Sequence, residues 1–90
     1  MIKNFIHPVA GKNQEFCITM ADGTANARAM VSRVESPETL VMMEATGPIA
    51  ALKARFESAD TFLDDAIEKV KASGLLEKAV ESGSLQTGSL

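Results

Sequence analysis

The first half of the chain alternates apolar and polar side chains with the period of a β-strand. Phe16, Ile18 and Met20 are separated by polar or small residues, which indicates a half-buried strand. Residues 2–9 are also rich in β-prone side chains, and residues 39–45 form a further apolar stretch after a turn. The pattern predicts a small sheet within residues 2–45.

An Asp-Gly pair at positions 22 and 23 predicts a two-residue hairpin turn after the strand that ends near Met20. Such a turn would place three large apolar side chains opposite three alanines on one face, and Cys17 opposite Arg28. The predicted pairs are Met20 with Ala25, Ile18 with Ala27 and Phe16 with Ala29.

Residues 25–34 are open to a second interpretation. Ala27, Met30, Val31 and Val34 have the i, i+3, i+4, i+7 spacing of an amphipathic helix. Strand and helix therefore both remain possible for this stretch.

The second half of the chain has helical spacing. A first helix is predicted after Pro48, and a second after a capping pattern that begins at Thr61. Gly74 is predicted to end the second helix and Gly83 a short third one. We expect two or three helices in residues 47–82 and a flexible tail over residues 83–90.

Composition adds limits on function. The 90 residues suffice for one domain, with 46% hydrophobic residues but only four Phe and no Trp or Tyr. The net charge is −3 and neither half is basic, so we expect no nucleic-acid partner. No apolar run is long enough for a membrane span, and the single cysteine suits a reducing compartment, so we expect a cytoplasmic protein without membrane contact.

Candidate chemistry is sparse. His7 is the only histidine and has no acid or hydroxyl residue beside it, so it is interpreted as a surface or strand-edge residue. Cys17 lies out of phase with the apolar face and is interpreted as structural. The acidic residues around Asp64 do not have the spacing of a calcium loop and are interpreted as a solvated helix face. We predict no catalytic residue, no metal and no cofactor.

These patterns predict an α+β fold: one domain over residues 1–82, with a small antiparallel sheet followed by helices. Met42 and Met43 are adjacent, so a strand sends them to opposite faces and one needs cover from elsewhere. The predicted function is a non-catalytic protein-binding or assembly protein whose partner is itself, as a homodimer or larger oligomer, or another protein. Alternatives are a small-ligand-binding or regulatory module with a pocket between sheet and helices, and a small enzyme using His7 or Cys17.

The predicted interface is the apolar strand at residues 40–43 or, as an alternative, the stripe on the second helix, which we expect the protein's own core to bury. A charge at Met43 is expected to split the oligomer more than it unfolds the chain. The interface residues are Leu40, Val41, Met42, Met43, Phe62, Leu63 and Ile67.

Overall fold

The computed structural model describes residues 2–21, 27–45 and 59–90, and within them the chain forms an α+β fold of five strands and two helices. The strands are β1 (Ile2–Val9), β2 (Lys12–Ala21), β3 (Arg28–Arg33), β4 (Thr39–Glu44) and β5 (Gln86–Ser89). The helices are α1 (Ala59–Ser73) and α2 (Leu75–Ser82). The predicted α+β class is confirmed.

The sheet has the strand order β1-β2-β3-β4-β5. The first four strands form an antiparallel meander, whereas β5 runs parallel to β4. The sheet is therefore mixed, and it extends beyond the predicted limit of residue 45. The predicted C-terminal tail contains β5, and the backbone N–H of Leu90 donates to the carbonyl of Glu44 at 3.0 Å.

Residues 28–33 form a strand, which resolves the two interpretations in favour of the strand. The predicted register is wrong, however. Phe16 lies opposite Arg33, and Ile18 opposite Val31, so the pairing is shifted by four residues from the one expected. The shift is even and leaves the same side chains on the core face, because strand side chains alternate with a period of two. The Asp22-Gly23 turn itself lies outside the described residues.

Both helices pack on the sheet face that carries Phe16, Ile18 and Val31, which we call the core face. The buried side chains of α1 recur at helical spacing: Phe62, Leu63, Ala66, Ile67 and Val70. Those of α2 are Leu76 and Ala79. Hydrophobic burial between the two layers stabilises the fold.

The helix ends follow the glycines. Gly74 and Gly83 both adopt the left-handed conformation, and the N–H of Gly83 donates to the carbonyl of Ala79 at 2.9 Å. Both predicted helix ends are thus confirmed. The predicted start at Thr61 is wrong, since α1 already includes Ala59 and Asp60. The helix predicted after Pro48 lies outside the described residues.

Candidate functional site

The face of the sheet opposite the helices, which we call the outer face, carries the largest exposed apolar side chains of β1. Ile2 and Ile6 alternate with buried Phe5 and are 66% and 61% exposed. Half-buried Met30 and Met42 lie opposite each other farther along this face. Neither α1 nor α2 packs on it, because their buried side chains all join the core cluster of the other face.

Polar side chains lie on the outer face as well. Cys17 lies opposite Ser32, with Sγ and Oγ 3.2 Å apart, and not opposite Arg28 as the expected register requires. Arg28 instead pairs with Glu44, its Nε 2.7 Å from a carboxylate oxygen. Cys17 therefore lies off the core face, as its sequence phase predicts, but the cation expected beside it is committed to another strand.

Most of the predicted interface residues are buried inside the single chain. Val41, Met43, Phe62 and Leu63 lie between the sheet and the helices. The remaining buried members are Leu40 and Ile67. Only Met42 retains substantial accessible surface, and it lies on the outer face.

An irregularity in β4 explains how two consecutive residues of that strand are both buried. The register between β3 and β4 shifts after Val31, which pairs with Val41, so that Ser32 lies opposite Thr39 and Leu40 is skipped. An extra residue of this kind interrupts strict alternation. Met42 and Met43 lie on opposite faces, as expected from their adjacent positions, whereas Leu40 and Val41 are both buried.

His7 lies on the edge strand β1, which is one of the two places expected from the sequence, but it is not at the surface. It is 8% exposed on the core face, and its Nε2 forms a hydrogen bond with the carboxylate of Glu77 on α2. The partner lies 70 positions away, so no local sequence signal could have revealed it. The pair joins β1 to α2 and satisfies a polar group in a mostly apolar layer.

The acidic start of α1 is tied to β1. Lys3 Nζ lies 2.6 Å from a carboxylate oxygen of Asp60 and equally close to one of Asp64. The hydrogen bonds that the Lys3 ammonium donates, first to Asp60 and then to Asp64, raise the pKa of Lys3 above its ordinary value of 10.5. Within the described residues, no group of three or more His, Cys, Asp or Glu side chains is placed to hold a metal ion.

A shallow depression of about 310 Å³ lies between β4 and β5. Its lining combines apolar, acidic and hydroxyl side chains and backbone: Met42, Glu44, Thr87, Gly88 and Ser89. It opens at the edge strand β5 and not between the sheet and the helices, where a ligand pocket is expected from the sequence.

No protein-family model, curated protein or solved structure matches the chain. Among the helices of the described residues, none combines the length and the hydropathy needed to cross a membrane.

Proposed function

We propose that this chain is a non-catalytic protein-binding or assembly protein that acts as a homo-oligomer. The observation that carries the proposal is the outer face of the sheet, on which two isoleucines are more than half exposed and neither described helix packs. Large apolar side chains left exposed together on one face of a protein mark interaction sites.

The different burial of apolar side chains on the two sheet faces supports the same proposal. The apolar side chains of both described helices are buried against the core face, including those around Leu63 that were predicted from the sequence as a possible interface. The side chains left for a partner are therefore those of the outer face, with Ile2, Ile6, Met30 and Met42 as its apolar members. Covering them would contribute about 25 cal/mol for each Å² of apolar surface removed from water.

The test is the mass of the wild-type chain in solution, measured by light scattering across the micromolar range. We expect a dimer or larger assembly that dissociates on dilution. A chain that stays monomeric at every concentration contradicts the proposal.

A small-ligand-binding or regulatory module is the second candidate, and the depression beside Glu44 and Ser89 is the observation that favours it. Its volume of about 310 Å³ lies at the lower end of the range for small-molecule sites. Screening a fragment library by NMR tests this candidate. Shifts confined to Met42, Thr87 and Ser89 in a monomeric protein would favour it over assembly.

A small enzyme using His7 or Cys17 is the third candidate. The two side chains lie on opposite faces of the sheet, so such an enzyme would use one of them and not both. Cys17 has moderate exposure and Ser32 as its neighbour. In Cys17→Ser a hydroxyl can keep the contact with Ser32, so we expect the fold and the oligomeric mass to be unchanged. Loss of assembly in Cys17→Ser with unchanged stability would restore a functional role for the thiol.

A further inference from the structure

The strand β1 forms one edge of the sheet, and no described strand pairs with its free side. It is eight residues long, and its outer-face positions between Ile2 and Ile6 carry no charge. Natural edge strands are usually protected by charged side chains, prolines or short length, because an unprotected edge pairs with other chains. Here the one proline, Pro8, lies at the turn end and leaves residues 2–6 open.

The turn between β1 and β2 determines which backbone groups face that free edge. Val9 and Lys12 are opposite each other, and Ala10 and Gly11 between them have positive φ of 53° and 78°. This is a two-residue turn of the I′ kind, in which the flanking residues form a hydrogen-bonded pair.

Hydrogen-bonded and non-bonded pairs alternate along an antiparallel ladder. Lys3, Phe5 and His7 therefore bond to β2, while the N–H and C=O groups of Ile2, Asn4 and Ile6 face the free edge. Pro8 falls in the outward set, where its missing N–H costs the β1–β2 ladder nothing.

The outward residues form a palindrome: Ile2, Asn4 and Ile6 are spaced symmetrically about Asn4. A twofold axis at Asn4 would place Ile2 of one chain opposite Ile6 of a second copy, and Asn4 opposite its own equivalent. Both exposed isoleucines would then gain apolar neighbours on the outer face, as cross-strand pairs. An interface that is complementary to itself in this way is what a twofold dimer requires.

The charged residues on the core face of β1 and on α1 are compatible with the same twofold axis. The symmetry places Phe5 of one chain opposite Lys3 of the second copy. Lys71 of α1 lies over the Phe5 ring, 5.9 Å from its centroid, whereas Lys3 holds the acidic start of α1 through Asp60 and Asp64. The axis would bring Lys71 of each chain toward the group formed by Lys3, Asp60 and Asp64 of the other, in which two carboxylates outnumber one ammonium, so the net charge attracts.

We propose that the partner of this chain is a second copy of itself, joined through antiparallel β1–β1 pairing about a twofold axis at Asn4, which makes one sheet of ten strands from two of five. The inference rests on the proposed homo-oligomeric function and specifies its interface.

Disulfide trapping tests the register directly, in a Cys17→Ser background that removes the native thiol. The axis brings the two Asn4 positions together, with Cα atoms about 5.5 Å apart, which is within disulfide reach. Asn4→Cys should therefore form a covalent dimer under mild oxidation. Ile6→Cys is the matched control, since its equivalent in the second copy lies four residues farther along the strand and should not cross-link.

A charge exchange tests the Ile2–Ile6 contact without cross-linking. The double variant Ile2→Lys/Ile6→Lys places like charges opposite each other twice, and we expect it to weaken the dimer by at least about tenfold. Ile2→Glu/Ile6→Lys places opposite charges there and should keep the dimer at closer to wild-type strength. Both positions are exposed, so circular dichroism should show the fold retained in both variants.

The outcomes separate this inference from the function on which it rests. A wild-type chain that is monomeric overturns both. A wild-type oligomer in which Asn4→Cys and Ile6→Cys cross-link equally, or that ignores both charge variants, overturns the β1 interface and leaves assembly through another surface. In that case Met42→Lys, at the centre of the outer face, should separate the copies, whereas β1 pairing requires that it does not.

Discussion

At the scale of single residues, neighbours in the sequence have opposite environments. Met42 is half-buried on the outer face, whereas Met43 is 2% exposed on the core face. His7 is buried between exposed Ile6 and Pro8 and finds Glu77 on α2. The burial of a side chain in these strands depends more on the face of the sheet on which it lies than on its residue type.

The two methionines offer a matched pair of variants. Met43→Lys places a charge in the core without a partner, and we expect it to lower the free energy of unfolding by at least about 3 kcal/mol. Met42→Lys should change it by no more than about 1 kcal/mol, since the new charge can reach water. Urea unfolding of both variants measures the difference. This differs from the expectation from sequence that a charge at Met43 splits the oligomer more than it unfolds the chain. Equal stabilities of the two variants would contradict the present prediction.

The hydrogen bond between His7 and Glu77 can be tested in the same way. Glu77→Ala leaves the buried imidazole without its partner, and we expect a loss of about 1–3 kcal/mol in the free energy of unfolding. Glu81→Ala is the control, because Glu81 is an exposed glutamate on the same helix. If both variants unfold at the same urea concentration, the hydrogen bond between His7 and Glu77 makes no net contribution to the free energy of unfolding.

At the scale of elements, β5 is the strand that the sequence conceals. Its four residues, Gln-Thr-Gly-Ser, contain no apolar side chain and resemble a tail. It is held by parallel pairing with β4 and by the close fit of Gly88, where an added Cβ would lie 2.7 Å from Leu75 Cδ1 and 2.8 Å from Met43 Sδ. Gly88 leaves room for the side chains of Leu75 on α2 and Met43 on β4, which occupy the space that a Cβ would need.

We therefore expect Gly88→Val to displace β5 or to force Leu75 and Met43 aside. Overpacking of this kind costs about 1–3 kcal/mol, which urea unfolding can measure. Thr87→Val is the control, since Thr87 is exposed and the same β-branched side chain is introduced one position away. A Gly88→Val protein as stable as the control would show that the strand does not pack as closely as described.

At the scale of the whole molecule, polar contacts join the sheet to the helices at the edge strand β1. Lys3 contacts Asp60 and Asp64 of α1, and His7 contacts Glu77 of α2. Both contacts leave from the core face of β1 and involve neither its outer face nor its free edge.

The Lys3 contact predicts a dependence on pH. Because the folded-state pKa of Lys3 is raised above 10.5, its contribution to stability is present below pH 10.5 and is lost as the pH rises through the folded pKa. Wild type should therefore lose more stability than Lys3→Met between a pH below 10.5 and one above it. Urea unfolding of both proteins at the two values checks this, and a parallel loss in both would exclude the contact as the cause. Asp60 and Asp64 are both more than half exposed, so solvent screens the contact and the difference should be small.

The sequence by itself determined the features that depend on near neighbours. β-prone composition identifies β1 and alternation identifies β2, and apolar spacing together with Gly74 and Gly83 identifies α1 and α2. Each of these signals lies within about fifteen residues of chain, which is the range over which periodicity and capping act.

Only the tertiary structure decided what depends on distant contacts. Three such features are the four-residue shift between β2 and β3, the pairing of Gln86–Ser89 with β4, and the contact of His7 with Glu77. Each joins two segments, and the local sequence of one segment contains no information about the other. Strand registers that differ by an even number bury the same side chains, so the hydrophobic pattern could not choose between them. A short polar strand gains its order from the backbone and side chains of its neighbours, and only the folded chain brings those neighbours to it.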